Sequence, residues 1–159
     1  MVHTDKIVRD LEFVYEGVFD FKEVLSLLKS YFKRNDYDLD EKLYDTKIKT
    51  GLKNIKLRWE CDRRLDDYNK ALAKLVIDVT DAKEAYVDGV KVVEGKLKIT
   101  FNGEMERDYD LKWKPKPVLK FTRALYEKYI SEEKQTNVDA QLKNLIDKLI
   151  KELKQYFKA

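Results

Sequence analysis

The chain reads as an α+β domain: a curved antiparallel sheet of about six strands, one helix after the first strand, and a long C-terminal helix packed across the sheet. Three observations carry this reading. Apolar residues alternate with period two through 6–16 and through most of 42–113, as half-buried strands require. Apolar residues recur at spacings of three and four through 21–34, the mark of an amphipathic helix. The helical spacing returns from Val138 to Phe157. That stripe is about 20 residues, or ~30 Å at 1.5 Å per residue, long enough to cross a sheet.

The first strand places Ile7, Leu11, Phe13 and Tyr15 on one side, with Asp10, Glu12 and Glu16 on the other. Arg9 falls on the apolar side. Asp20-x-x-Glu23 then forms a capping-box pattern, in which each side chain satisfies an orphan backbone N–H. Phe21, Val24, Leu25, Leu28, Tyr31 and Phe32 make one stripe behind it.

In the β region Ile55, Leu57, Trp59 and Cys61 alternate with Lys56, Arg58, Glu60 and Asp62, and Leu75, Ile77 and Val79 with Lys74, Asp78 and Thr80. Asp88-Gly89 and Asn102-Gly103 both read as hairpin turns. For the second, a three-residue loop pairs Phe101 with Met105 and Leu97 with Tyr109, and sets Lys98 opposite Asp108 and Lys96 opposite Asp110. Arg107 then points inward opposite Ile99. A strict two-residue loop would put carboxylates on the apolar face instead. Pro115 and Pro117 close the β region, and Val118, Phe121, Leu125 and Tyr129 follow with helical spacing. Thr136-x-x-Asp139 predicts the cap of the last helix.

At 159 residues the chain suits one domain, 1–159, with a full core. The 40% charged residues stand beside 43% hydrophobic ones, which excludes a disordered tail. Lys+Arg 33 against Asp+Glu 30 leaves a net charge of only +3, so most charge is expected to pair within the chain. A single cysteine excludes an intramolecular disulfide. No secretory leader and no apolar run of the ~20 residues that span a bilayer are visible, so a soluble, cytoplasmic protein is expected.

The order of strand, helix, meander and long final helix resembles the helix-grip architecture (START or Bet v 1-like), in which a sheet grips the last helix and often encloses an apolar ligand cavity. That architecture usually carries two short helices after strand one, where this chain has one longer helix. A second resemblance rests on Asp20-Phe21-Lys22-Glu23, Trp59-Glu60, Asp67-Tyr68, Asp108-Tyr109, Trp113, Pro117 and Phe121-x-Arg123-x-x-Tyr126-x-Lys128-Tyr129. This string is similar to that of small uncharacterised archaeal proteins over residues ~10–130. It implies an archaeal source and a shared fold, and assigns no activity or site.

Chemistry-bearing groups are few. His3 has no second His or nearby Cys to share a metal. Asn35–Glu41 looks acidic enough for calcium, but counting from Asp36 puts Glu41 at position six and Lys47 at twelve, where an EF-hand needs Gly and Glu. A solvated turn is the ordinary reading of such a run. Cys61 has no visible base partner. No catalytic residue, metal ligand or cofactor is therefore assigned, and the reading leans away from an enzyme.

Two binding readings remain. Arg9, Arg63 and Arg107 are each predicted on the apolar side of a strand, with Tyr44, Trp59 and Tyr109 beside them. A buried guanidinium is costly unless paired, so these six residues suggest a groove between sheet and C-terminal helix that binds a small amphipathic or apolar ligand by its anionic head group. The ordinary alternative places each arginine at a strand end, snorkelling to the rim. The second reading is a protein-interaction or nucleic-acid adaptor using Lys112, Trp113, Lys114, Lys116, Lys120 and Arg123, where cations interleave with aromatics. Glu104, Glu106, Asp108 and Asp110 lie just upstream and blunt that field. An oligomer formed through an exposed sheet edge is a third route to partners.

Overall fold

Strand β1 (His3–Phe19) leads through Asp20 into helix α1 (Phe21–Arg34). The Asp20 side chain accepts the Glu23 backbone N–H at 3.2 Å, which fixes the first turn of α1 as the sequence predicts. Strands β2 (Asp38–Lys49), β3 (Leu52–Arg64), β4 (Asn69–Val87) and β5 (Val90–Arg107) follow, then helix α2 (Ser131–Lys158). These elements come from a computed structural model that describes residues 3–107 and 131–158. The described strands form one antiparallel sheet in the order β1-β5-β4-β3-β2. It has five strands where about six were expected. Among the described residues, no helix is long and apolar enough to cross a membrane.

The predicted turn at Asp88-Gly89 is present. Val87 pairs with Val90, and both turn residues take left-handed φ, 50° and 80°, the geometry of a type I′ turn. Thr50-Gly51 makes the same turn between β2 and β3, with φ of 53° and 81°. The hairpin expected at Asn102-Gly103 is not formed. β5 runs through it, and Phe101 lies between Leu11 of β1 and Leu75 of β4. Lys98 faces Val14 and Asp78 and bonds Glu12 at 3.2 Å, while Lys96 faces Glu16 and Thr80. The predicted opposition of Arg107 to Ile99 therefore does not occur.

Both residues of that dipeptide have other work. Asn102 Oδ1 accepts the Asp10 backbone N–H at 3.0 Å, clamping a bulge in β1 where Asp10 takes φ 47°. Asn54 Oδ1 clamps Asp81 of β4 in the same way at 2.9 Å. Gly103 is buried under α2: a Cβ there would sit 3.0 Å from Ile146 Cδ1 and 3.3 Å from Leu142 Cδ2. The missing side chain lets the helix approach the sheet.

The core lies between one face of the sheet and the helices. Leu57, Trp59, Cys61, Leu75, Ile77 and Val79 are buried, as their alternation predicts. α1 contributes Val24, Leu28 and Phe32, and α2 contributes Val138, Leu142, Ile146, Leu149 and Leu153. The Tyr31 hydroxyl donates to the Leu145 carbonyl at 2.6 Å and joins the two helices. Phe157 stacks on Tyr15 at 4.2 Å, fastening the end of α2 to β1. α2 is already helical from Ser131, so Thr136 lies within it rather than at its cap, and 131–137 contains no Gly or Pro to interrupt it. The helix predicted after Pro117 lies outside the described residues.

Candidate functional site

Arg107 is the last described residue of β5, on its core face, and is only 4% exposed. Its guanidinium donates from Nε to Asp5 Oδ2 at 2.7 Å, from Nη1 to Asn69 Oδ1 at 2.9 Å, and from Nη2 to both Asp139 oxygens at 2.9 and 3.1 Å. Asn69 is itself held by Asp66, which accepts its backbone N–H at 2.6 Å and its side-chain amide at 3.1 Å. Burial pulls the Arg107 pKa down, but the hydrogen bonds and charges of Asp5 and Asp139 outweigh it and the net shift is upward. The inward direction agrees with expectation. The anions that meet this arginine are the protein's own, drawn from β1 and α2.

Of the other five residues of the proposed ligand set, the four that are described, Arg9, Arg63, Trp59 and Tyr44, are not brought together with it. Arg9 is exposed, against expectation, because the bulge at Arg9–Asp10 adds a residue and shifts the alternation: Val8 faces Gly103 and Leu11 faces Phe101. Arg63 opposes buried Ala71 but sits at the strand end, exposed, with Nη1 3.4 Å from the Asn35 carbonyl. It borders a polar groove of about 300 Å³ with Tyr37, Gln141, Asn144 and Lys148. Trp59 is fully buried, donates Nε1–H to Glu41 Oε1 at 3.1 Å, and carries Lys29 Nζ 5.6 Å from its ring centroid. Tyr44 is 59% exposed on β2. Tyr109 lies outside the described residues, as do Lys112, Trp113, Lys114, Lys116, Lys120 and Arg123.

The open apolar surface is at the end of the sheet that carries the Thr50-Gly51 and Asp88-Gly89 turns. A groove of about 410 Å³ opens there beside the first turn of α1. Phe21 and Leu25 of α1 form one wall, and Tyr44, Ile55, Val90 and Val93 of the sheet form the other. Lys22, Lys53 and Lys91 stand at its rim with Asp20 and Glu84. Lys53 and Lys91 share one carboxylate, Glu84, the latter at 3.2 Å. Hydrogen bonds from these two lysines hold the Glu84 pKa below its usual value. Three cations thus face two anions. A neighbouring groove of about 420 Å³, lined by Tyr15, Phe19, Val87, Val92 and Phe157, shares Asp20 with the first.

Three further reactive groups, Cys61, Tyr31 and Tyr37, are buried and line neither of these two grooves. Burial pushes the Cys61 thiol up to about 12, and Tyr31 and Tyr37 likewise to about 12. Such groups are protonated and inert at neutral pH. Among the described residues, no three of His, Cys, Asp and Glu are grouped to hold a metal ion.

The sequence pointed to Tyr44 but not to the groove beside it. The available signal was Tyr86, Val87 and Val90 flanking a turn that ordinarily carries polar residues; all three are exposed. Comparison with protein-family models, curated proteins and solved structures gave no match.

Proposed function

We propose that the protein binds a small amphipathic ligand without catalysis, the apolar body lying between the first turn of α1 and the sheet and an anionic head group meeting Lys22, Lys53 and Lys91. The observation that carries this reading is the apolar groove of about 410 Å³ rimmed by those lysines. Small-molecule sites are concave, mostly apolar and marked by a few placed polar groups, at ~300–1,000 Å³. Phe21, Leu25 and Ile55 gain by leaving water, and the excess of lysine over carboxylate selects a negative head group.

The expected helix-grip order fits the reading only in that β1 lies beside the last described strand and a long final helix packs on the sheet. The ligand site moves, however, from beneath α2 to α1, because Leu142, Ile146, Leu149 and Leu153 fill the α2 interface.

Titration with decanoate, followed by calorimetry, tests the proposal. Saturable binding is expected, weakened about tenfold (~1.4 kcal/mol) in K53Q/K91Q and abolished in L25W, whose larger side chain fills the groove. Decanol should bind more weakly than decanoate to the wild type, and equally to the wild type and K53Q/K91Q. An L25W variant that folds and binds decanoate like the wild type overturns the assignment.

A further inference from the structure

We infer that β2 pairs antiparallel with β2 of a second copy about a two-fold axis at Thr46, joining two sheets through this edge. The inference is independent of the ligand reading. Among the described residues β2 has one strand neighbour, β3, and nearly all of its residues are exposed. Tyr44, Thr46 and Ile48 extend the face that carries Leu57 and Ile55, yet Tyr44 is 59% and Ile48 68% exposed. An unpaired edge with β-favouring residues is a template for another strand.

Edge strands are usually kept apart by charge, so the register decides whether this one is blocked or self-complementary. Backbone groups of alternate residues point out of the edge. Two copies can therefore pair only when the numbers of opposed residues share parity, which puts the two-fold axis on a residue. An axis at Asp45 opposes Asp45 to its copy, and one at Lys47 opposes Lys47 to its copy. An axis at Ile48 opposes Lys47 to Lys49. An axis at Tyr44 draws the bulge at Lys42 into the seam.

Only the Thr46 axis keeps the seam within the regular stretch 43–49 and free of like charges. It sets Asp45 opposite Lys47 twice on one face, and Tyr44 opposite Ile48 twice on the other. Within one chain Lys47 and Asp45 are 4.0 Å apart with side chains 78% and 46% exposed, loose enough to exchange for cross-copy partners.

Sedimentation equilibrium of the full chain over a wide concentration range tests this. A reversible monomer–dimer equilibrium is expected for the wild type. D45K alone and K47D alone each place like charges across the seam and should weaken dimerisation at least tenfold. An equimolar mixture of the two variants, in which all four seam charges are opposed, should dimerise again, as should D45K/K47D. Circular dichroism confirms that each variant is folded. In parallel, amide exchange at 43–49 of the wild type should slow as concentration rises. A wild type that stays monomeric throughout, or dimers indifferent to D45K, overturns the proposal, as does exchange at 43–49 that ignores concentration.

Discussion

Arg107 holds a full positive charge in the core, and its partners make it a fastener rather than a free binding group. Its bonds reach β1 through Asp5, the start of β4 through Asn69, and α2 through Asp139. Removing one member of a buried ionic cluster leaves its partners uncompensated, a loss of ~3–5 kcal/mol. Here the side chains of Asp5 and Asp139 are 39% and 29% exposed, so water screens them and the lower end of that range applies. R107M should therefore destabilise the fold by ~3 kcal/mol in urea unfolding. R107M/D139L should recover part of the loss, because the Asp139 carboxylate is then not stranded. A cost below ~1 kcal/mol for R107M would show that the cluster contributes little to stability.

At the scale of elements, Gly103 decides how closely α2 approaches β5. A Cβ at 3.0 Å from Ile146 Cδ1 and 3.3 Å from Val8 Cβ forces side chains out of their packing, which typically costs ~1–3 kcal/mol. G103V should lower the melting temperature strongly and G103A less. I146V should restore part of the G103A loss by withdrawing the methyl group it meets; additive effects of G103A and I146V would contradict this contact.

The same glycine explains which parts of the fold the sequence made legible. Period-two burial in β3 and β4, the Asp20 cap and the Asp88-Gly89 turn depend on neighbours in the chain, and these were readable. Asn102-Gly103 has the local chemistry of a turn, but its use is set by Asp10 and Ile146, far away in sequence. The bulge at Arg9–Asp10 is held by Asn102 across the strand pair and leaves no local signature. Tyr44 was expected inward, in a groove between the sheet and the final helix, and lies instead on β2, 59% exposed. The lysine-rimmed groove was not legible, because its lining comes from α1, β2, β3, β4 and β5, far apart in sequence.

For the whole molecule, Cys61, Tyr31 and Tyr37 link stability to alkaline pH. They come from β3, α1 and the segment after α1, and all are buried in the one core between helices and sheet. Cys61 rises from 9.0, and the two tyrosines from 10.0, each to about 12 and each chiefly through burial. Arg63 opposes the shift of Tyr37, and Arg34 that of Tyr31. A folded pKa above the unfolded one means that the unfolded chain releases its proton first as pH rises. Between pH 9.0 and about 12 the folded state therefore binds more protons, and stability falls with pH. The contribution is complete below pH 9.0 and is lost by about pH 12. Urea midpoints should accordingly hold level, as far as these groups are concerned, up to pH 9.0 and then fall steeply. C61A should flatten the earliest part of that fall. Y31F should reduce the part above pH 10.0, while costing ~1 kcal/mol at neutral pH for the lost bond to the Leu145 carbonyl. If the tyrosines ionise near pH 10.0 while the chain stays folded, their hydroxyls are reached by solvent and the closed packing between α1, α2 and β3 is wrong.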